Sequence, residues 1–232
     1  MFQLRSADAR GRFNHGWLDT RHTFSFGDYQ DPDHVHFRAL RVINEDWIHP
    51  GQGFGMHPHR DMEILTWVLE GALEHHDSLG SGGVIRPGDL QRMSAGTGIR
   101  HSEFNASNQE SLHLLQIWLF PDAKGHAPRY GQRSFPAEGR FNRFQLLASR
   151  DGREGSLEIH QDVELCVADL DPGASVERSI AAGRGAWVQV ARGSVDLNGH
   201  VLRQGDGAAL EEETTIRLTG VEVAQVLLFD LG

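Results

Sequence analysis

GMHPHRDME (residues 55–63) and RHSE (residues 100–103) are the two stretches that decide how this sequence folds and what chemistry it carries. In an extended strand, successive side chains point to opposite faces, so residues two apart share a face. His57 and His59 therefore share a face of one strand, and His101 and Glu103 share a face of another. If the two strands faced each other, they would supply four nitrogen and oxygen ligands to one divalent metal ion.

The sequence around these stretches predicts an all-β protein. Residues 37–120 form short apolar or alternating segments, interrupted by glycine turns, and contain no long segment of helical period. This spacing is typical of an antiparallel sandwich or barrel. Residues 121–145 are rich in turn residues and read as a connector, whereas residues 1–35 offer only one short candidate strand, Thr23–Phe26.

An internal repeat predicts two domains of one plan. VLEGALE (residues 68–74) aligns with VARGSVD (residues 190–196), and Gly88-Asp89 aligns with Gly205-Asp206. We therefore expect an N-terminal domain over residues 1–135 and a C-terminal domain over residues 136–232. The second domain should hold no metal, because the positions of the candidate ligands carry other residues there. These positions are Ser179, Ala181 and Gly185 for the first motif, and Leu218 and Gly220 for the second.

Composition excludes several classes of partner. The chain has 232 residues and a formal net charge of −10, so phosphate backbones and anionic membranes are unfavourable partners. The single cysteine, Cys166, excludes an intrachain disulfide and a thiolate metal site. The most apolar run, residues 112–120, is too short to span a bilayer. We expect a cytoplasmic monomer that binds neither nucleic acid nor membrane.

The motifs resemble those of the pirin family of bicupins. The resemblance is carried by FGMHPHRDME (residues 54–63), VLEG (residues 68–71), PGDLQ (residues 87–91) and SAGTGIRHSE (residues 94–103), and it covers most of the N-terminal half. It implies two cupin-type antiparallel β-barrel domains, each a double-stranded β-helix, packed face to face. It also implies that His57, His59, His101 and Glu103 hold one metal ion.

The choice between two glutamates depends on the strand geometry. In many other cupins the glutamate of the first motif, here Glu63, completes the site, whereas the pirin pattern uses Glu103. Glu103 shares a face with His101 by simple alternation, while Glu63 shares one with His57 only if the strand is unbroken. We therefore expect Glu63 to be a bystander.

Other polar residues near the motifs are open to more than one interpretation. Gln116, inside an apolar strand, could face the lumen or lie on an edge. His75, His76 and Asp77 could lie near the metal, but exposed positions on a hairpin are the expectation.

The resemblance implies a quercetin 2,3-dioxygenase-like oxidoreductase that opens a flavonol ring with O₂. Three imidazoles and a carboxylate suit Fe(II), which is the first choice, and also Ni(II), Mn(II), Cu(II) or Zn(II). The metal would acidify a substrate hydroxyl, and Glu103 would act as the catalytic proton acceptor. A regulatory protein that binds a protein partner according to its metal or redox state is the alternative. A zinc-dependent sugar or small-acid isomerase is a third possibility, although no basic cluster for a sugar phosphate is evident.

Overall fold

The computed structural model describes residues 1–232, and strands dominate the first half of the chain. Glycine, proline and asparagine turns separate most of these strands, as the sequence predicts. The twelve strands of this half are β1 Phe2–Arg5, β2 Gly11–Asn14, β3 Leu18–His22, β4 Leu40–Ile48, β5 Gly53–His59, β6 Glu63–Glu70, β7 Leu73–Asp77, β8 Gly82–Ile85, β9 Asp89–Ser94, β10 Ile99–Asn105, β11 Leu112–Leu119 and β12 Arg129–Ser134.

The second half follows a four-residue helix, α1 Ala137–Arg140, and repeats the pattern. Two short 3-10 helices, Ala7–Ala9 and Arg153–Gly155, complete the helical content, and no helix has the length and apolarity to cross a membrane. Ten strands form this half: β13 Gln145–Ser149, β14 Leu157–Glu158, β15 Val163–Leu170, β16 Ser175–Ser179, β17 Gly185–Arg192, β18 Ser194–Leu197, β19 His200–Arg203, β20 Gly207–Glu211, β21 Thr215–Gly220 and β22 Ala224–Leu231.

Each half combines a seven-stranded sheet with a four-stranded sheet, which confirms the predicted all-β fold. In the N-terminal half the order is β12-β9-β6-β11-β4-β3-β2 in the larger sheet and β5-β10-β7-β8 in the smaller. In the C-terminal half it is β1-β20-β17-β22-β15-β13-β14 and β16-β21-β18-β19. The hydrogen-bonded sheets remain open, so each domain is a cupin-like sandwich of two sheets and not a closed barrel.

The two seven-stranded sheets pack against each other through a shared apolar core. A cluster of 23 buried residues draws on both halves and includes Leu65 and Trp67 of β6 with Leu165 and Phe229 of the second half. Strand β6 is buried on both faces. Leu65 and Trp67 point into the shared core, and the residues that alternate with them, such as Val68, point into the interior of the N-terminal domain. This double burial explains why residues 64–69 are apolar except for Thr66.

The interiors of the two domains differ. Nineteen buried hydrophobic residues fill the space between the C-terminal sheets. The N-terminal interior holds two smaller clusters of seven and four buried residues, and polar residues lie between its sheets. Burying a leucine or valine contributes roughly 1.5–3 kcal/mol. The C-terminal domain is therefore stabilised by its apolar interior, whereas the N-terminal domain gives up part of that stabilisation to a cavity.

The repeat alignment is correct for β21 but shifted by one residue in β16. Leu218 is buried in the C-terminal core, as expected for the counterpart of an inward ligand position. Ser179 and Ala181, however, are exposed, and the inward positions near them are Val176 and Ile180. The error has a simple origin: a one-residue shift in register moves every side chain of a strand to the opposite face.

The N-terminal 35 residues depart most from expectation. Residues 18–22 form the strand, while Thr23–Phe26 is irregular. Strand β1 does not join the N-terminal domain to which residues 1–135 were assigned, because it pairs with β20 in the C-terminal sheet. The segment expected to be only a connector likewise contains β12, which pairs with β9.

Candidate metal centre and substrate cavity

Strands β5 and β10 bring three histidines together at one end of the smaller N-terminal sheet. In the antiparallel register, His101 lies opposite His57, and Ile99 lies opposite His59. One ligand atom from each of the three imidazoles lies within 4.8 Å of the others. Pro58 is tolerated between the first two histidines because β5 is the edge strand of its sheet. The predicted convergence of the histidine pair with His101 is therefore present.

The hydrogen bonds of these imidazoles leave nitrogen atoms available for a metal ion. His57 uses Nδ1 against the carbonyl oxygen of Gly55 at 2.8 Å, so its Nε2 is free. His101 is 1% exposed, and its Nδ1 lies 3.2 Å from Nε2 of His75. Nε2 of His101 has no hydrogen-bond partner in the protein. A buried, unpartnered imidazole nitrogen beside two further imidazoles fits a divalent transition metal.

Burial favours the neutral form of His59 and His101, the form that metal binding requires. Burial is the main cause that lowers the pKa of His59 to about 4, and the neighbouring His57 adds to the shift. Burial likewise lowers the pKa of His101 to about 2, with contributions from the three surrounding imidazoles. Neutral imidazole is the form that coordinates a metal ion.

Glu103 lies in the same cavity but is held by two polar side chains of the opposite sheet. Gln116 donates from Nε2 to both carboxylate oxygens, at 3.0 and 3.3 Å, and the hydroxyl of Thr66 donates at 3.5 Å. The register of β10 against β5 shifts between His101 and Glu103, which changes the direction of the strand there. Burial raises the pKa of Glu103 to about 7, against the bonds from Gln116 and Thr66.

Glu63 has a different role. Its side chain is 1% exposed and lies outside the lining of the cavity. The hydroxyl of Ser94 donates to Oε2 at 2.8 Å, and Nδ1 of His160 in the second half lies 3.1 Å from Oε1. Both carboxylate oxygens are thus engaged in a polar contact that joins the two halves of the chain.

The structure corrects the expectation for His75 and Asp77, and it decides between the two positions that were open for Gln116. His75 and Asp77 are buried, contrary to the expectation of an exposed hairpin, and only His76 between them is exposed. The inward face of strand β7 is covered by the other sheet of the domain, where Tyr130 of β12 stacks on His75 at 4.9 Å. Gln116, for which two positions were open, faces the lumen and contacts Glu103.

The histidines open onto a cavity of about 430 Å³. Its walls combine aromatic rings with neutral or acidic polar groups, and no lysine or arginine lines it. The lining residues are Phe13, His15, Leu18, Thr20, His22, Phe26, Gly27, Asp28, Asn44, Asp46, Phe54, His57, His59, Ile64, His101, Glu103, Gln116 and Trp118.

Nearly half of this lining comes from the N-terminal segment, which sequence patterns did not connect with the site. Strands β2 and β3 and the loop that follows them extend the larger sheet across the mouth of the cavity. Phe26 packs edge-on against Trp118 at 5.3 Å, and Phe13 stacks on His22 at 5.2 Å. These rings form an apolar entrance for a planar ligand.

Asn44 and Asp46 on β4 are also functional candidates that the motifs did not indicate. Both are at most 5% exposed, and Oδ1 of each has no hydrogen-bond partner in the protein. Burial raises the pKa of Asp46 to about 7, although the hydroxyl of Thr20 counteracts the shift. The signal in the sequence was three consecutive polar residues, Asn44 to Asp46, inside the strand VINEDWI, residues 42–48, of which the first and third share a face.

Comparison with known proteins agrees with the motifs. The pirin family model matches residues 3–119, and a model described as the quercetinase C-terminal cupin domain matches residues 146–231. The chain is 52% identical over 232 residues to quercetin 2,3-dioxygenase of Escherichia coli K12, covering 100% of this chain and 99% of that protein.

Solved structures give the same result. The bacterial pirin YhhW from Escherichia coli, in complex with nickel(II), superposes with a TM-score of 0.95 at 52% identity, covering 100% of this chain and 99% of that chain. A quercetin 2,3-dioxygenase from Acinetobacter baumannii shares the fold, with a TM-score of 0.79 at 21% identity and coverage of 98% and 85%. The predicted likeness to quercetin 2,3-dioxygenase-like oxidoreductases is thus confirmed. This chain belongs to the pirin family.

Proposed function

We propose that this protein is a metal-dependent dioxygenase that opens the ring of a flavonol such as quercetin with O₂. His57, His59, His101 and Glu103 would hold the single metal ion, with Fe(II) as the first choice. The observation that carries the proposal is the cavity itself, in which three imidazoles meet aromatic walls and a buried carboxyl group. The named activity of the relative from Escherichia coli, at 52% identity, supports it.

The lining of the cavity favours a neutral aromatic substrate. A cavity of about 430 Å³ lies within the range typical of small-molecule sites. It has no arginine or lysine that could bind a phosphate or carboxylate group, which disfavours sugar phosphates and small acids. Phe13, Phe26, Phe54 and Trp118 instead offer ring surfaces on which a planar aromatic ligand can pack.

The residues of the chain then supply proton transfer, orientation and exclusion of water. When bound, a divalent metal would supply Lewis acidity toward a substrate hydroxyl. Glu103 accepts the proton of that hydroxyl, and Gln116 and Thr66 hold its carboxylate in place through three contacts. The aromatic entrance excludes water while O₂ reacts with the electron-rich ring. Both oxygen atoms enter the opened product, and one ring carbon leaves as CO.

Anaerobic reconstitution with Fe(II), followed by quercetin and O₂, tests the proposal. We expect loss of the flavonol absorption band and release of CO. His57→Ala and Glu103→Ala should abolish turnover. Glu63→Gln is the matched control, because it alters a buried glutamate that contacts Ser94 and His160 outside the cavity. It should retain activity.

A regulatory role is the outcome that would replace this proposal. Stoichiometric metal binding without turnover of flavonols, for any first-row metal, would contradict the dioxygenase and favour a metal-dependent partner of another protein. Activity that survives Glu103→Ala but is lost in Glu63→Gln would instead overturn the assignment of the carboxylate.

A further inference from the structure

The cavity wall opposite the histidines carries a row of polar groups that the proposed chemistry does not use. Asn44 and Asp46 lie two residues apart on β4 and both line the cavity. In the sheet, Asp46 lies beside Thr20, and Asn44 lies between His22 and Gln116. The four candidate metal ligands belong to strands β5 and β10 of the smaller sheet, so this row belongs to the facing wall.

The two side chains present acceptors without partners. Asn44 is 5% exposed and Asp46 is 4% exposed, and Oδ1 of each lacks a hydrogen-bond partner in the protein. Leaving such a buried acceptor unpaired costs roughly 1–3 kcal/mol, so buried polar groups are as a rule satisfied within the fold. Two unsatisfied acceptors on one wall of a cavity indicate a ligand that brings hydrogen-bond donors.

The chemistry of the wall defines the class of donor. No lysine or arginine lines the cavity, and Asp28, Asp46 and Glu103 supply three carboxyl groups, so an anionic group remote from the metal would meet repulsion. The adjacent rings of Phe13 and Trp118 favour an aromatic ligand. Phenolic hydroxyl groups combine both properties, because each is a neutral donor attached to a flat ring, and a hydroxyl bound to a carboxylate makes one of the stronger hydrogen bonds.

We propose that Asn44 and Asp46 form an acceptor pair that recognises phenolic hydroxyls on a ring of the substrate remote from the metal-binding histidines. This inference rests on the proposed function, which it deepens by specifying the substrate as a polyhydroxylated flavonol. Residues two apart on a strand are separated by about 6.6 Å along its axis, so the pair reads hydroxyls at two positions and not one. Substrates that lack these hydroxyls leave the acceptors unpaired, and this is the physical basis of the discrimination.

Binding of three flavonols to the Zn(II)-loaded protein tests the acceptor pair, since Zn(II) supports no redox turnover. The ligands are quercetin and two analogues that lack the hydroxyls of the A ring or of the B ring. For the wild type, we expect one analogue to bind about tenfold or more weakly than quercetin, as the loss of the hydrogen bonds to both acceptors predicts. In Asp46→Ala and Asn44→Ala, this preference should fall to within about threefold because affinity for quercetin alone decreases.

Asp19→Asn is the matched control. It removes one carboxylate from β3, but Asp19 forms its ion pair with Arg21 and does not line the cavity. It should leave all three affinities unchanged. Equal binding of the three ligands by the wild type would overturn the acceptor pair, as would an equal loss of affinity for all three in both alanine variants.

Turnover separates this inference from the proposed function. If the Fe(II) protein opens all three flavonols with the same kcat/KM, the dioxygenase stands and the acceptor pair is wrong. If the wild type prefers quercetin in binding, the alanine variants remove that preference, and no flavonol is turned over, the acceptor pair stands and the dioxygenase is wrong.

Discussion

At the scale of single residues, the buried His75 sets the orientation and the tautomer of the candidate ligand His101. It is fully buried, stacks on Tyr130 at 4.9 Å and meets Nδ1 of His101 through its own Nε2. If Nε2 of His101 binds the metal, Nδ1 carries the proton and donates it toward His75. His75 therefore orients the imidazole of His101 and selects its tautomer, as partners of metal-bound histidines commonly do.

Replacing His75 should weaken metal binding. We expect His75→Leu, a change of similar volume, to lower the affinity for Ni(II) or Fe(II) by about 10–100-fold, the range typical of lost outer partners of metal-bound histidines. Competition with a chromophoric chelator measures the affinity, and circular dichroism checks the fold. His76→Leu alters the adjacent exposed histidine and should have no effect. Equal affinities for both variants would contradict the positioning role.

At the scale of elements, strand β6 divides its residues between two environments. Leu65 is fully buried in the core between the two domains, whereas the hydroxyl of Thr66 reaches Glu103 and Gln116 inside the N-terminal domain. The strand thus links the packing of the domains to the candidate site through side chains on opposite faces. Substitutions on the face that carries Leu65 should therefore affect stability, and substitutions on the face that carries Thr66 should affect the candidate site.

Two adjacent substitutions on β6 should separate stability from function. Leu65→Ala leaves a cavity in the shared core and should reduce the free energy of unfolding by about 2–5 kcal/mol, with metal affinity unchanged. Thr66→Val keeps the shape but removes a donor to Glu103. It should change kcat/KM by more than about tenfold, while the free energy of unfolding changes by only about 1 kcal/mol. Urea titration and steady-state kinetics distinguish the two; loss of metal binding in Leu65→Ala would refute the division.

At the scale of the whole molecule, the buried titratable groups of the metal-free protein act in opposite directions on stability. Burial lowers the pKa of His22 and His75 to about 4, as it does for His59, and lowers that of His101 further. These four stay neutral in the fold while the unfolded chain takes up protons below its ordinary histidine pKa of about 6.5. Their contribution to stability is complete above that pH and is lost as the pH falls from 6.5 toward 4.

The carboxyls of Asp46 and Glu103 partly offset this loss. Both have a pKa raised to about 7, so the fold binds their protons more tightly than the unfolded chain does. Their contribution is lost as pH rises through 7 and is regained as pH falls. Between pH 6 and 5, proton uptake by the unfolded chain at the four histidines lowers the free energy of unfolding, and proton binding by the fold at the two carboxyls raises it. The net change is a loss of roughly 2 kcal/mol of unfolding free energy over that pH unit.

Urea unfolding of the metal-free protein between pH 7 and 5 checks the sign and the balance. Asp46→Asn removes one compensating proton, so its stability should fall more steeply with decreasing pH, by about 1 kcal/mol per unit. Asp19→Asn, outside the cavity, should keep the slope of the wild type. A slope in Asp46→Asn equal to that of the wild type would show that the carboxyl is ionised in the fold throughout this range.

The sequence by itself determined the strand-rich fold, the two-domain repeat and the convergence of His57, His59 and His101. The fold and the repeat follow from local rules, because strand alternation places residues on faces and glycine turns set strand lengths, whereas the convergence of the histidines was implied by the resemblance to the pirin family. The candidate carboxylate also followed from alternation, and its assignment as a ligand stays a prediction.

Only the tertiary structure decided which faces are covered and by what. Alternation places His75 and Asn44 on the same face as the residues two positions away, but it does not show whether that face is buried. Enclosure depends on long-range contacts: Tyr130 of β12 stacks on His75, and the N-terminal segment lines the cavity after β1 joins the C-terminal sheet. Such pairings join residues about 200 positions apart, as between Phe2 and Leu210. No pattern within a short window of sequence encodes them, because their stability comes from burial shared between distant segments.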